Sequence, residues 1–206
     1  MNKFLADKLA DVIALGPKEY KAFCEIDRKY FVPTGFESKA YEITPLPLAD
    51  DSTISSPLTI AKMTHYLNLE NVDNVLEIGC GSGYQAAILS KLVRRVFTID
   101  RICKLVEIAK ERFKKLNLYN INVKCDDGRF GWKEFAPYDR ILLSAYIDGI
   151  EKELFNQLKE GGFILAPVKK GNKQIITRFY INGKKEEIEE CEFVPMKKGI
   201  EKILKA

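Results

Sequence analysis

Two apolar rhythms alternate along the chain. Phe4, Leu5, Leu9, Val12, Ile13 and Leu15 recur at helical spacing and stop at Gly16-Pro17, which predicts a helix over 3–15, with a second short one over 18–26. Over 28–51 the periodicity breaks around Pro33, Gly35, Pro45 and Pro47, and aromatics (Tyr30, Phe31, Phe36, Tyr41) interleave them. That composition predicts an ordered arm lying over a ligand. Ser56 before Pro57 caps a third helix carrying Ile60, Ala61, Met63 and Leu67. Beyond it, β-branched runs at 75–78, 96–99, 121–125, 138–144 and 161–168 predict strands. Helical spacing recurs between them, after residue 84 and over 102–116 and 150–158. The stretches 174–180 and 188–194 alternate around Asn182-Gly183 and predict an antiparallel hairpin. Strands alternating with helices imply one α/β domain, a doubly wound, mostly parallel Rossmann-like sheet with helices on both faces. Within a single domain of 206 residues, 1–58 reads as N-terminal helices and substrate-side arm and 59–206 as the core.

Chemistry concentrates where the first predicted strand meets its helix. Val75-Leu76-Glu77-Ile78 runs into three alternate glycines, Gly79, Gly81 and Gly83, followed by a helix start. Backbone without side chains lets a ligand approach closely, and the first helical turn presents N–H groups. The next strand ends in Asp100, about 20 residues beyond the first glycine, where doubly wound nucleotide sites place the acid that binds ribose hydroxyls. A dinucleotide site spaces its glycines Gly-x-Gly-x-x-Gly, which this loop does not. Glu77 would repel a phosphate and suits a ligand bearing an ammonium or sulfonium. The third strand delivers Asp126-Asp127-Gly128-Arg129 to the same edge, where an acid can accept from an adenine amino group.

Composition adds exclusions. The net charge of +4 is spread over short lysine clusters without an aromatic-laced basic face, so nucleic-acid binding is not expected. No apolar run is long enough to span a bilayer, and the N-terminus lacks a signal-peptide core. Five widely spaced cysteines (Cys24, Cys80, Cys103, Cys125, Cys191) read as reduced thiols of a cytoplasmic protein, with no zinc or other metal site. The single histidine, His65, is expected on a polar helix face without a catalytic part.

Phe31-Val32-Pro33, Leu46-Pro47-Leu48, Thr53-Ile54-Ser55 with Pro57, the loop from Val75 to Tyr84, Asp127-Gly128-Arg129, Ala136-Pro137-Tyr138-Asp139, Gly161-Gly162 and Phe193-Val194-Pro195 together resemble the protein-L-isoaspartate O-methyltransferases, in order and spacing across nearly the whole chain. The resemblance implies S-adenosyl-L-methionine as cofactor, S-adenosyl-L-homocysteine as product, and isoaspartyl-containing proteins and peptides as substrate. It places Ser55 as the active-site serine and Ser52, Thr53, Ile54 and Ser55 along cofactor and substrate. Glu77, Gly79, Gly81, Ser82 and Gly83 match the methionine-side loop, Asp100 and Arg101 the ribose side, and Asp127 and Gly128 the adenine contact. Asp50-Asp51, Asp126 and the turn Ser144-Ala145-Tyr146-Ile147 depart from the family pattern and bear on acceptor binding. A carboxylate acceptor is already ionised at neutral pH, so no general base is needed, and Ser55 is cast as a hydrogen-bond donor aiming one carboxylate oxygen. A methyltransferase with another acceptor, or a non-catalytic adaptor, are the competing readings. A monomer is expected.

Overall fold

The computed structural model describes residues 2–48 and 52–201. Helix α1 (Asn2–Ala10) is shorter than the predicted 3–15, because the Val12 and Ile13 N–H groups fold back to the Leu9 carbonyl as the chain turns toward α2 (Pro17–Glu25). Glu19 accepts from the Gly16 N–H at 2.7 Å, and Pro17 opens α2 where a missing N–H costs nothing. The arm then runs through two single-turn 3-10 segments to β1 (Leu46–Pro47) and β2 (Thr53–Ile54), which pair antiparallel. Val32, Ala40, Leu46 and Ile54 give this arm a small apolar core of its own. Helix α3 (Pro57–Tyr66) starts as expected, with the Ser56 hydroxyl accepting from the Thr59 N–H. His65 sits partly exposed on this helix, 3.2 Å from Glu19.

The remaining strands build one sheet from β3 (Asn74–Ile78), β4 (Arg95–Asp100), β5 (Ile121–Cys125), β6 (Tyr138–Leu143), β7 (Leu158–Lys170), β8 (Lys173–Tyr180) and β9 (Lys185–Cys191). Their order is β5-β4-β3-β6-β7-β8-β9, the first five parallel and the last two antiparallel. Strand direction of winding reverses between β3 and β6, so a crevice opens beyond their carboxyl ends. Alternate residues of each strand face opposite layers. Val75 and Val96 pack under α1 to α3, α4 (Tyr84–Leu89) and α5 (Cys103–Lys115), whereas Leu76 and Phe97 face the other side. Among the described residues that second side carries one α-helix, α6 (Lys152–Phe155), a single turn where 150–158 predicts a longer helix. Aromatics from the loops complete it: Phe97 stacks on Phe135 with ring centroids 4.6 Å apart, and Trp132 and Tyr138 meet it edge on.

One expectation fails. Cys103 and Cys125 form a disulfide, while Cys24, Cys80 and Cys191 are free thiols. Cys125 lies in register beside Asp100, and Cys103 opens α5 three residues further on, which brings their Cα atoms to 5.0 Å. A linear separation of 22 residues carries no sign of that contact.

Candidate active site

Four of the five parallel strands end in a residue that the crevice uses. A cavity of about 360 Å³ is lined by Ser52 and Thr53 from the arm, Gly79 and Gly81 after β3, Asp100 and Arg101 after β4, Asp127 and Gly128 after β5, Ser144 after β6, and residues 194–197 of the C-terminal segment. Its size lies within the range of about 300–1,000 Å³ usual for small-ligand sites. A second hollow adjoins it and shares Thr53, Ser144 and Val194 with the first. Ser55, Ser56, Thr59, Pro45, Glu192 and Phe193 complete this second hollow.

The arm strand β2 explains that division. Its pleat sends Ile54 into the arm's apolar core and leaves Thr53 and Ser55 on the opposite side, facing the hollows. Beneath them lies Arg28, fully buried, whose guanidinium donates to the carbonyls of Ala40 (3.0 Å), Glu42 (3.5 Å), Thr44 (3.3 Å) and Ser55 (3.2 Å). Its Nε has no partner and no carboxylate pairs with it among the described residues. Burial accordingly pulls its pKa down, yet a guanidinium stays charged. Arg28 therefore pins the arm to Ser55 and places an unneutralised positive charge behind the second hollow. Sequence reading missed it, since its acceptors are carbonyls of irregular segments and leave no pattern. The Ser55 hydroxyl itself makes no hydrogen bond among the described residues.

The glycine loop is tightly self-bonded. Gly79 and Cys80 donate to the Ile99 carbonyl, and Gly81 donates to Asp100 Oδ2 at 2.7 Å. Gly83 adopts φ +86°, and a Cβ there would stand 2.8 Å from the Phe113 ring, so the third glycine serves the packing of α4 on α5. Gly128 has a parallel reason, since its Cβ would fall 2.5 Å from Ile78 Cγ2. Ser82 is buried, with its hydroxyl accepting from the Tyr84 N–H and its carbonyl from Arg112.

The three expected acids separate in role. Asp100 reaches the cavity, where it accepts from Gly81 and Ile102 and keeps lone pairs for two further donors. Burial raises its pKa. Asp127 also reaches the cavity, but it accepts from the Arg129 N–H, from Arg129 Nε and Nη2, and from the Gly199 N–H. Those four donors fill its capacity, so a contact with an adenine amino group requires one of them to yield. The Arg129 pair holds its carboxyl below the usual carboxylate range. Glu77 lines neither hollow; it is fully buried behind the wall formed by Ile78 and Gly79. Thr98 donates to its Oε2, its Oε1 has no partner, and burial, reinforced by Asp100, pushes its pKa up to about 8. Ile54, Ser82 and Gly83 likewise line neither hollow.

A strap unforeseen in the sequence closes the cavity's outer side. Met196 and Val194 pair with Tyr146, which is the structural use of the turn at 144–147. Further along, Arg101 Nε donates to the Gly199 carbonyl and its Nη1 pairs with Glu201 at 2.7 Å, while the Cys103 N–H donates to the Glu201 carbonyl. Arg101 thus lines the cavity and clasps the strap at once. Asp126 is turned to Lys124 at 2.8 Å, and Asp50 and Asp51 lie outside the described residues.

Residues 2–201 match the family model for protein-L-isoaspartate(D-aspartate) O-methyltransferase (PCMT). A Helicobacter pylori (strain G27) protein-L-isoaspartate O-methyltransferase is 45% identical over 204 residues, covering 97% of this chain and 98% of that one. One from Halorhodospira halophila is 39% identical, covering 94% and 91%. Among solved structures, a protein-L-isoaspartate O-methyltransferase superposes with a TM-score of 0.86 at 31% identity, covering 95% of this chain and 65% of that protein. A Plasmodium falciparum protein in complex with S-adenosyl-L-homocysteine shares the fold, with a TM-score of 0.85 at 20% identity over 96% of this chain and 99% of that one. A match over almost every described residue, from the arm through the glycine loop to the strap, places this chain in the protein-L-isoaspartate(D-aspartate) O-methyltransferase family.

Proposed function

We propose that this chain methylates the α-carboxyl of L-isoaspartyl residues in damaged proteins and peptides, holding S-adenosyl-L-methionine in the cavity edged by Asp100 and the acceptor in the hollow beside Ser55. One observation carries the assignment of the two hollows. They share a wall of Thr53, Ser144 and Val194, and the Ser55 hydroxyl, without a hydrogen-bond partner among the described residues, faces the second one. When bound, the cofactor supplies a methyl group made electrophilic by its sulfonium.

The donor set of the Asp100 cavity fits such a ligand. Asp100 has spare acceptor capacity for ribose hydroxyls, Ile78, Ile99, Ile102 and Met196 offer apolar walls, and the glycine turn brings backbone within reach of an aminoacyl end. Glu77, buried with an orphan oxygen, stands behind that turn. On the acceptor side, hydroxyls of Ser55, Thr59 and Thr53 can donate to a carboxylate, and the unneutralised Arg28 favours an anion there. No residue has to remove a proton, because the acceptor is ionised at neutral pH. The protein's work is to align the acceptor oxygen and exclude water, with Ser55 fixing its direction. In the methyl ester so formed, attack of the following backbone nitrogen on the ester carbonyl closes a succinimide and expels methanol, a better leaving group than a free carboxylate offers, which is how methylation starts repair.

No helix among the described residues is long and apolar enough to cross a membrane. We read the protein as a cytoplasmic monomer that takes neither nucleic acid nor membrane as partner. Methyl incorporation into an isoaspartyl peptide and its aspartyl twin tests the function: labelling of the first alone is expected, and equal labelling overturns the repair assignment. Ser55→Ala should lower turnover about 10-fold or more while S-adenosyl-L-homocysteine affinity changes less than about twofold.

A further inference from the structure

Strand β9 and its continuation carry five acids in quick succession, and four have partners. Glu186 meets Arg178 and Tyr180, Glu187 meets Lys170, Glu189 meets Lys62, and Glu190 meets Lys173. The fifth, Glu192, makes no hydrogen bond or ion pair among the described residues, and it alone is turned to the acceptor hollow. Its place is fixed, because the next residue, Phe193, is bonded at both N–H (2.8 Å) and carbonyl (3.1 Å) to the Gln174 amide. Among the described residues, no other one lining the hollow is ionisable. Glu192 is also absent from the wall shared with the cofactor cavity, so it lies away from the point of methyl transfer.

An acceptor carboxylate drawn to Ser55 therefore leaves its neighbouring residue facing a lone, exposed carboxylate. We propose that Glu192 is a specificity-determining residue, which selects isoaspartyl acceptors whose adjacent residue is basic and disfavours those whose adjacent residue is acidic. This rests on the acceptor assignment made above. At a solvated rim, one charge acting over several ångströms is worth a factor of about 3–10 in kcat/KM, and salt screens it.

The test compares isoaspartyl peptides bearing Lys, Ala or Glu on either flank, assayed with wild type, Glu192→Gln and Glu192→Lys, the Ala peptide serving as reference in each. Wild type should favour Lys over Glu by about 3–10-fold at one flank, with the ratio shrinking at high salt. Glu192→Gln should bring it within about twofold of unity, and Glu192→Lys should invert it. A wild-type ratio near one at both flanks, or the same ratio in all three proteins, overturns the proposal. Absence of methylation of every isoaspartyl peptide by wild type would instead overturn the functional reading beneath it.

Discussion

Glu77 shows how one residue can tie the site to the stability of the fold. Its carboxyl is buried with one oxygen unpartnered, and its pKa rises from 4.5 to about 8, chiefly through desolvation. A folded state that holds this proton more tightly than the unfolded chain is fully favoured below the ordinary carboxylate pKa. It loses that advantage as pH rises toward about 8. The ligand-free protein should therefore melt at progressively lower temperature from pH 5 to pH 9, and Glu77→Gln, which cannot ionise, should flatten that decline. Parallel curves for the two proteins would place Glu77's titration elsewhere. The identity of this residue stood out in the sequence because a carboxylate interrupts an apolar strand, but its depth did not. Neither did Arg28, whose four carbonyl acceptors lie 12 to 27 residues away in segments without periodicity.

At the scale of elements, legibility follows regularity. The strand ends that bear Gly79, Asp100 and Asp127 were readable because β3, β4 and β5 are short runs rich in β-branched residues, each followed or ended by glycine or acid. Helix α6 was overread, since the apolar residues of 150–158 pack as one turn followed directly by the long strand β7. Phe193-Val194-Pro195 was readable as a motif, but the course of the strap over 194–201 was not, since it has no period and is held by isolated bridges to Tyr146, Ile102 and the β5 loop. Yet it forms part of the cavity wall, so its anchors should govern retention of the ligand. Arg101→Ala removes both a lining side chain and the clasp on Gly199 and Glu201, and is expected to weaken S-adenosyl-L-homocysteine binding about 3–10-fold by calorimetry. Glu201→Ala cuts only the half-exposed ion pair and should cost about twofold or less, seen mainly as faster dissociation. An unchanged affinity in Arg101→Ala would show that the strap is not a working wall.

Across the whole molecule, the cofactor cavity draws on residues from 52 to 197, and so on the arm, four parallel strand ends and the strap together. The alternating order of strands and helices was enough to read the doubly wound sheet and the edge where ligands bind, because parallel crossovers admit one hand. The Cys103–Cys125 bond was not, since register between β4 and β5, not sequence spacing, creates it. Two stabilising effects then act on the same pair of strand-end loops. Ligand at about 100 times its Kd adds about 2.7 kcal/mol, and closing a loop of this length adds about 3 kcal/mol in the chain-entropy account. For a chain of this size each corresponds to a rise of roughly 5–10 °C in Tm. The disulfide acts on the unfolded chain and the ligand on the folded one, so the two shifts should be nearly additive. S-adenosyl-L-homocysteine should raise Tm by a similar amount with and without dithiothreitol, although reduction lowers both curves. A ligand shift that vanishes on reduction would mean instead that the disulfide shapes the cavity itself, by holding the Asp100 and Asp127 loops in position.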